Sequence, residues 1–307
     1  MRIFVTGGMG FVGTNLTRVL TANGHEVTVL DRSTQKERPL APGVGRVAGD
    51  STKPGPWQEQ LAEHDAIINL AGASIFRRWT SQAKRAIRDS RILTTRNVVE
   101  ALRSRSGKET HLFSTSAVGY YGYHGDEVLE EDEPAGRDFL AQVALEWETE
   151  ALKAREFGAR VVITRFGLVI GRGGGVVSQL LPLFKLYLGS PLGSGEQWFS
   201  WIHEADLANA ILRLLASKQI DGPVNCTSPH PVRNRELTKT LAQVLGRRVL
   251  VPFVPGFVLK MALGDFADVV LEGQRVMPGK LLRDGFEFRY PALRQALEDV
   301  LTAPDNS

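Results

Sequence analysis

The chain holds one cysteine among 307 residues. A lone thiol, Cys226, excludes an intramolecular disulfide framework and a cysteine-rich zinc site, and it fits a reducing compartment. It closes a largely apolar run from Pro223, which makes it a buried structural thiol rather than a nucleophile. Also missing is any apolar run long enough to cross a bilayer. Met1-Arg2-Ile3 enters the first element at once and leaves no room for a signal peptide. The expectation is a cytoplasmic protein with no membrane partner. Charge of one sign is scarce too: 37 Lys and Arg face 34 Asp and Glu, a net +3. That excess is too small and too scattered to announce nucleic acid. The densest basic stretch, Arg77 to Arg91, is interleaved with apolar residues and reads as a solvated helix face. No metal site, internal repeat or low-complexity tract is expected. With 43% hydrophobic and 23% charged residues, the composition is that of a globular protein.

What is present begins at the N-terminus. Ile3 to Val5 form a short apolar β-run, and Gly7, Gly10 and Gly13 follow in a G-x-x-G-x-x-G spacing. Phe11 to Leu20 read as a helix with Val12, Leu16, Val19 and Leu20 on its apolar side. Gly24 stops it, and Glu26 to Leu30 form a second buried strand ending on Asp31. Glycine permits the tight turn and lets the backbone approach a pyrophosphate. The helix start offers free N–H groups and partial positive charge. Strand, glycine turn, helix, strand and terminal acid in this order point to a dinucleotide.

The first half continues to alternate. Val44 to Ala48, Ala66 to Leu70, Thr110 to Thr115 and Arg160 to Arg165 read as strands. Ser81 to Arg103 and Leu140 to Arg155 read as helices. Such alternation predicts an α/β fold, a doubly wound parallel Rossmann sheet covered on both faces. Further on, Gly171 to Gly175 is a loop and Leu180 to Leu188 an apolar helix. Ser190 to Trp201 is a turn or lid, Glu204 to Ser217 a helix, and Pro223 to Cys226 a strand. A mixed helical tail follows from about residue 234. Residues 1–168 with 200–228 are assigned to the nucleotide-binding domain, and 169–199 with 229–307 to a smaller, mainly helical substrate-side domain.

Several residues could do chemistry. Asp31 is placed to accept hydrogen bonds from ribose hydroxyls, which leans toward NAD. Arg32 beside it keeps NADP open, by pairing with a 2′-phosphate or stacking on adenine. Asp50 follows the third strand, where it could meet the adenine edge. Asn69, Ala71 and Gly72 end the fourth strand, and Ser114, Thr115 and Ser116 the fifth.

These positions bring a family into view. Thr6-Gly7-Gly8-Met9-Gly10-Phe11-Val12-Gly13, Asp50, Asn69-Leu70-Ala71-Gly72 and Ser114-Thr115-Ser116-Ala117-Val118 resemble the extended short-chain dehydrogenase/reductase superfamily, which includes sugar-nucleotide epimerases and dehydratases. Arg77-Arg78-Trp79, Ser116 through Gly122, Pro191 through Gly195 with Gln197-Trp198, and Trp201-Ile202-His203 look like the atypical subgroup called epimerase family proteins. So do Leu271 through Val276 and Gly285-Phe286. The resemblance spans nearly the whole chain. It implies a Rossmann domain, a bound NAD or NADP and a small C-terminal domain, but no substrate.

One departure stands out. Catalytic members of the superfamily carry Tyr-x-x-x-Lys on the helix after the fifth strand, the tyrosine as acid/base and the lysine tuning it and holding the nicotinamide ribose. Here Val143 takes the tyrosine position and Trp147 the lysine position. Valine carries no proton, and tryptophan offers one N–H and no charge. Ser116 is therefore expected to position the substrate oxygen and Tyr121 to relay the proton. Arg165 is expected toward a bound phosphate or the cofactor, and Arg78, Tyr120, Trp198 and His203 toward a small-molecule substrate. Two functions remain: an NAD(P)-dependent oxidoreductase or epimerase acting on a hydroxyl or carbonyl compound, sugar-nucleotide-like compounds included, or a degenerate NAD(P)(H)-binding sensor. A homodimer is left open.

Overall fold

The computed structural model describes residues 1–32 and 40–302. Five strands of the first half are β1 (Arg2–Thr6), β2 (Glu26–Asp31), β3 (Val44–Ala48), β4 (Ala66–Asn69) and β5 (His111–Ala117). With strands Arg160–Phe166 and Gly222–Cys226 they form one seven-stranded sheet. Its order is Gly222–Cys226, Arg160–Phe166, β5, β4, β1, β2, β3, and every pairing is parallel. β1 has β2 on one side and β4 on the other, so the direction of winding reverses beside it. A crevice opens at such a reversal, outside the carboxyl ends of the strands.

Helices cover both faces. On one side α1 (Phe11–Ala22) and α6 (Glu204–Ala216) bury Leu16, Leu20, Leu207, Ile211 and Leu214 against Val5, Val29 and Ile68. On the other lie α2 (Trp57–Leu61), α3 (Ser81–Leu102) and α4 (Phe139–Leu152). Their residues Trp57, Leu61, Val98, Leu102 and Ala151 meet Phe4, Ile67, Leu112 and Val161. The central strands β1 and β4 are apolar on both sides over residues 3–5 and 66–68, as a sandwiched parallel sheet requires. Thr80 caps α3 by accepting from the Ala83 amide, and Asp138 caps α4 by accepting from Leu140 and Ala141. Cys226 is fully buried, as its sequence context predicts.

The rest of the chain forms α5 (Gly175–Lys185), α7 (Asn234–Val244), α8 (Gly256–Leu263), α9 (Phe266–Leu271), α10 (Gly279–Arg283) and α11 (Leu293–Thr302). A third cluster holds Ile170, Val177, Phe184 and Trp201 against Leu237, Leu241, Leu293 and Leu297. α5 starts earlier than the apolar run at Leu180 suggests. Extended Gly174 serves as its N-cap, so the helix grows out of the glycine loop. No helix among the described residues is long and apolar enough to cross a membrane.

Two buried polar devices tie these layers together. Arg165 forms a two-pronged contact with Glu148 of α4, donating from Nε to Oε1 at 2.9 Å and from Nη2 to Oε2 at 2.8 Å. Both side chains are less than a tenth exposed. Burial works against the Arg165 charge, but the Glu148 hydrogen bonds and charge outweigh it and hold the guanidinium protonated. His203 caps α6 by accepting from the Ala205 amide through Nδ1, stacks on Tyr290 at 3.9 Å, and sets Nε2 3.5 Å from Asp299. Burial pushes its imidazole down to about 4, with Asp299 offsetting part of the effect.

Removing one partner of a buried ion pair leaves the other uncompensated. Glu148→Ala is expected to lower unfolding free energy by about 3–5 kcal/mol in urea titrations, and Glu148→Gln by less. For His203, the unfolded imidazole titrates near ~6.5. Between about 6.5 and about 4 the unfolded chain binds a proton that the native chain refuses. Stability from this residue is thus present above the upper value and lost as pH falls through the window. The loss should approach about 1.4 kcal/mol per pH unit, and His203→Gln should flatten that part of the stability-pH curve.

Candidate functional site

The turn from β1 into α1 is built around close backbone contacts. Gly7 has φ of +70°, and a Cβ there would lie 2.8 Å from the Ala71 amide nitrogen at the end of β4. A Cβ on Gly13 would stand 2.4 Å from the Gly7 carbonyl oxygen. Both positions therefore require glycine, for conformation at the first and for space at both. Gly10 is the N-cap of α1 and supplies no side-chain hydrogen bond. Unlike α3 and α4, this helix leaves its first amides without a capping side chain. Phe11 and Val12 face a cavity of about 380 Å³ at the carboxyl end of the sheet.

The cavity wall combines the ends of β4 and β5, the start of α5 and one side of α4. Leu70, Gly72 and Ala73 contribute from the chain after β4, Thr115 to Gly119 from β5 and its continuation, and Val143, Ala144 and Trp147 from α4. Trp198, Ser200, Val269 and Gln274 close it from the C-terminal side. The Phe11 ring packs against Gly171, Gly174 and Gly175, where any Cβ would collide with it. The glycine loop is thus what lets α5 approach α1.

Asp31, at the end of β2, lies 3.6 Å from the guanidinium of Arg46 in the middle of β3. Arg32 is exposed next to it. Asp50 accepts from the amide and hydroxyl of Thr52 at 3.0 and 2.7 Å. Burial would raise its carboxyl, but those hydrogen bonds and the Arg32 charge hold it below the usual range. Asn69 is fully buried and bonds to side chains only inside the protein: it accepts from Thr6 at 2.6 Å and donates to Thr95 at 2.8 Å. The half-buried Ala71 backbone meets Gly7. Ser114 is buried with its hydroxyl unpaired.

The expected catalytic pair is not assembled at the cavity. Ser116 reaches the wall, but its hydroxyl donates to Glu148 at 2.6 Å and is engaged there. Tyr121 is fully buried and absent from the wall; its hydroxyl donates to Asn225 at 2.7 Å and accepts from Arg165 at 2.9 Å. Burial pushes that phenol up to about 12 despite Arg165. Arg165 is consumed by Glu148 and Tyr121, with its guanidinium also 3.5 Å from the Tyr120 ring, and neither residue faces the cavity. Arg78 is exposed and off the wall, and His203 is a buried cap. Trp198 does reach the cavity, held by a 2.8 Å indole bond to Asp126 and by the guanidiniums of Arg233 and Arg275 at 4.0 and 4.7 Å from its ring.

At the position of the usual lysine, Trp147 donates to the Thr95 hydroxyl at 2.7 Å and joins the Thr6–Asn69–Thr95 chain. Val143 is buried beside it. No proton can come from either.

Two residues at the wall, Tyr123 and Arg91, escaped the sequence argument, and a third, Thr115, was named there without being singled out from its serine neighbours. Thr115 carries a buried hydroxyl with no partner in the protein. Side chains alternate along a strand, so Ser114 and Ser116 share one face of β5 and Thr115 takes the other. That parity was available in the sequence. Tyr123 also faces the cavity; burial and the Asp138, Asp268 and Glu272 carboxylates push its phenol upward and keep it protonated. Arg91 does not lie on a solvated face as the basic stretch suggests, but at the cavity wall with its guanidinium 5.2 Å from the Trp147 ring.

The family model described as "NAD dependent epimerase/dehydratase family" matches residues 3–226, and a domain of unknown function, DUF1731, matches residues 254–300. The chain is 40% identical over 303 residues to an epimerase family protein SDR39U1 homolog, chloroplastic, of Arabidopsis thaliana, covering 98% of this chain and 87% of the relative. It is 37% identical over 302 residues to epimerase family protein YfhF of Bacillus subtilis, covering 98% of each. A crystal structure of human epimerase family protein SDR39U1 with NADPH superimposes with a TM-score of 0.84 at 34% identity, covering 98% of this chain and 99% of that one. With a family model spanning most of its length and near-complete coverage by these relatives, the chain belongs to the NAD-dependent epimerase/dehydratase family, among the epimerase family proteins.

Proposed function

We propose that this protein binds a nicotinamide dinucleotide and acts as an epimerase-like oxidoreductase on a small hydroxyl or carbonyl compound. The observation that carries the proposal is the uncapped start of α1, held by Gly7 against the chain after β4 and by Gly13 against the turn, and opening into the cavity. The residues present fit the group. The amides of Phe11, Val12 and Gly13 would hold the diphosphate, as a helix start does for anions. Gly72 leaves room for the backbone to lie close to it. When bound, the dinucleotide supplies two-electron exchange at its nicotinamide ring.

NADPH is the preferred form in this reading. Asp31 alone would favour NADH by repelling a 2′-phosphate, but Arg46 offsets its charge and Arg32 adds another cation on the same edge. The human relative solved with NADPH supports the same choice.

Thr115 takes the positioning role that the sequence argument assigns to Ser116, because the residue lines the cavity and its hydroxyl has no partner in the protein. Tyr123 takes the proton-donating role assigned to Tyr121, since it is the tyrosine that lines the cavity. The lack of a proton source at Val143 and Trp147 favours a second reading, a sensor that binds the dinucleotide without turnover.

Calorimetry on ligand-free protein tests the proposal. NADPH should bind about tenfold more tightly than NADH, and Arg46→Ala should narrow that gap. Gly13→Ala, with the fold checked by circular dichroism, should weaken both. Absence of heat with either dinucleotide would sink the proposal. On any carbonyl compound that the protein reduces, Thr115→Val should cut kcat by about a hundredfold while leaving NADPH affinity intact. Dinucleotide binding with no turnover across a broad carbonyl panel would select the sensor.

A further inference from the structure

Among the described residues, no acid balances the positive charge of Arg91. Its Nη1 donates to two backbone carbonyls, Ala73 at 3.1 Å and Ile87 at 2.9 Å. Among the described residues its other nitrogens have no acceptor and no carboxylate forms an ion pair with it. Gly72 lies against one side of the guanidinium, where a Cβ would come within 3.1 Å of its central carbon, and the Trp147 ring is 5.2 Å away. Burial without a neighbouring acid brings the group down to about 10, which still leaves it charged at neutral pH. Arg91 is half-buried, and an unmatched charge held at a cavity wall is lined up to receive an anion from outside.

The rest of the wall narrows what that anion is. Arg91 is the one cation among the lining residues, whereas Asp138 and Glu272 are both acids. Asp138 already caps α4. Ile75, Phe76, Leu140, Val143 and Trp147 make the surrounding surface apolar. One fork-shaped donor set suits one carboxylate, and a nucleoside diphosphate would bring more negative charge than this wall can match. The dinucleotide's own diphosphate has the amides at the start of α1 to receive it.

We propose that Arg91 is the substrate anchor, and that the substrate class is a small, largely apolar oxo- or hydroxy-acid whose single carboxylate pairs with this guanidinium. The inference rests on the dinucleotide site proposed above and names the substrate class for it. Thr115, on the β5 side of the same cavity, is then the hydroxyl that meets the reacting oxygen. Trp147 in the place of a lysine serves as the flat surface beside the guanidinium, so the positive charge of the site comes from α3 instead of α4.

The test uses NADPH-saturated protein and four probes: benzoate, its neutral counterpart benzamide, inorganic phosphate and UDP. Calorimetry should show benzoate binding about tenfold or more above benzamide, with phosphate and UDP weaker than benzoate. Arg91→Met should erase the preference for benzoate over benzamide and leave NADPH affinity within about twofold; Arg91→Lys, which keeps charge but not the fork, should retain part of it. Equal binding of benzoate and benzamide to the wild type overturns the proposal, as does tighter binding of UDP. A tenfold loss of NADPH affinity in Arg91→Met would assign the guanidinium to the cofactor phosphates and also overturn it. A wild type that binds no NADPH would instead bring down the dinucleotide site itself, a result distinct from all of these.

Discussion

The structure depends on one close approach: the backbone of the β1–α1 turn pressed against the chain leaving β4. Gly7 permits it and Gly13 keeps the turn itself tight, since a Cβ at the first would meet Leu70 and Ala71 and at the second Gly7 and Gly8, in each case at less than 3 Å. Because the turn is that tight, α1 starts directly at the reversal point of the sheet, and its first amides face outward with no side chain to satisfy them. With the Gly10 amide paired to the Gly7 carbonyl, the N–H groups of Phe11, Val12 and Gly13 are the ones this helix start offers to an anion. The cavity, the glycine loop that lets α5 pack on Phe11, and the ends of β4 and β5 are all arranged around those amides.

The polar groups nearby divide into those already satisfied and those still open. Thr6, Asn69, Thr95 and Trp147 form a closed chain of hydrogen bonds through the core. Ser116, Glu148, Arg165, Tyr121 and Asn225 form a second, centred on a buried ion pair. Both chains are structural, because each hydroxyl or N–H in them has a protein partner at a short distance. Thr115, Tyr123 and Arg91 are different. They line the cavity and keep unspent hydrogen-bonding capacity, and the chemistry proposed for the site is assigned to them.

Much of the fold was legible in the sequence, for local reasons. Apolar runs bounded by glycine located the strands, and helical spacing located α1, α3, α4 and α6 within a few residues. The glycine spacing and the small residues after β4 identified the anion-binding turn as a hypothesis before any coordinates. What escaped is what depends on distance in sequence. Asn225 captures the Tyr121 hydroxyl from 104 residues away, which no local pattern reveals. Arg46 reaches Asp31 only because β3 lies beside β2, and that contact changes the meaning of the acid. Arg91 belongs to a basic stretch whose other members are exposed or half-buried at the surface, and only the placement of α3 against α4 turns it inward. Thr115 is the exception, since strand alternation alone separates it from its serine neighbours.

The central claim is that the open amides of α1 receive a dinucleotide diphosphate. Amide chemical shifts recorded by NMR on ligand-free protein during titration with NADPH test it most directly. The largest changes should fall on Phe11, Val12 and Gly13, with Gly72 following across the turn. Saturation of the protein with NADPH while those amides stay unmoved would contradict the account.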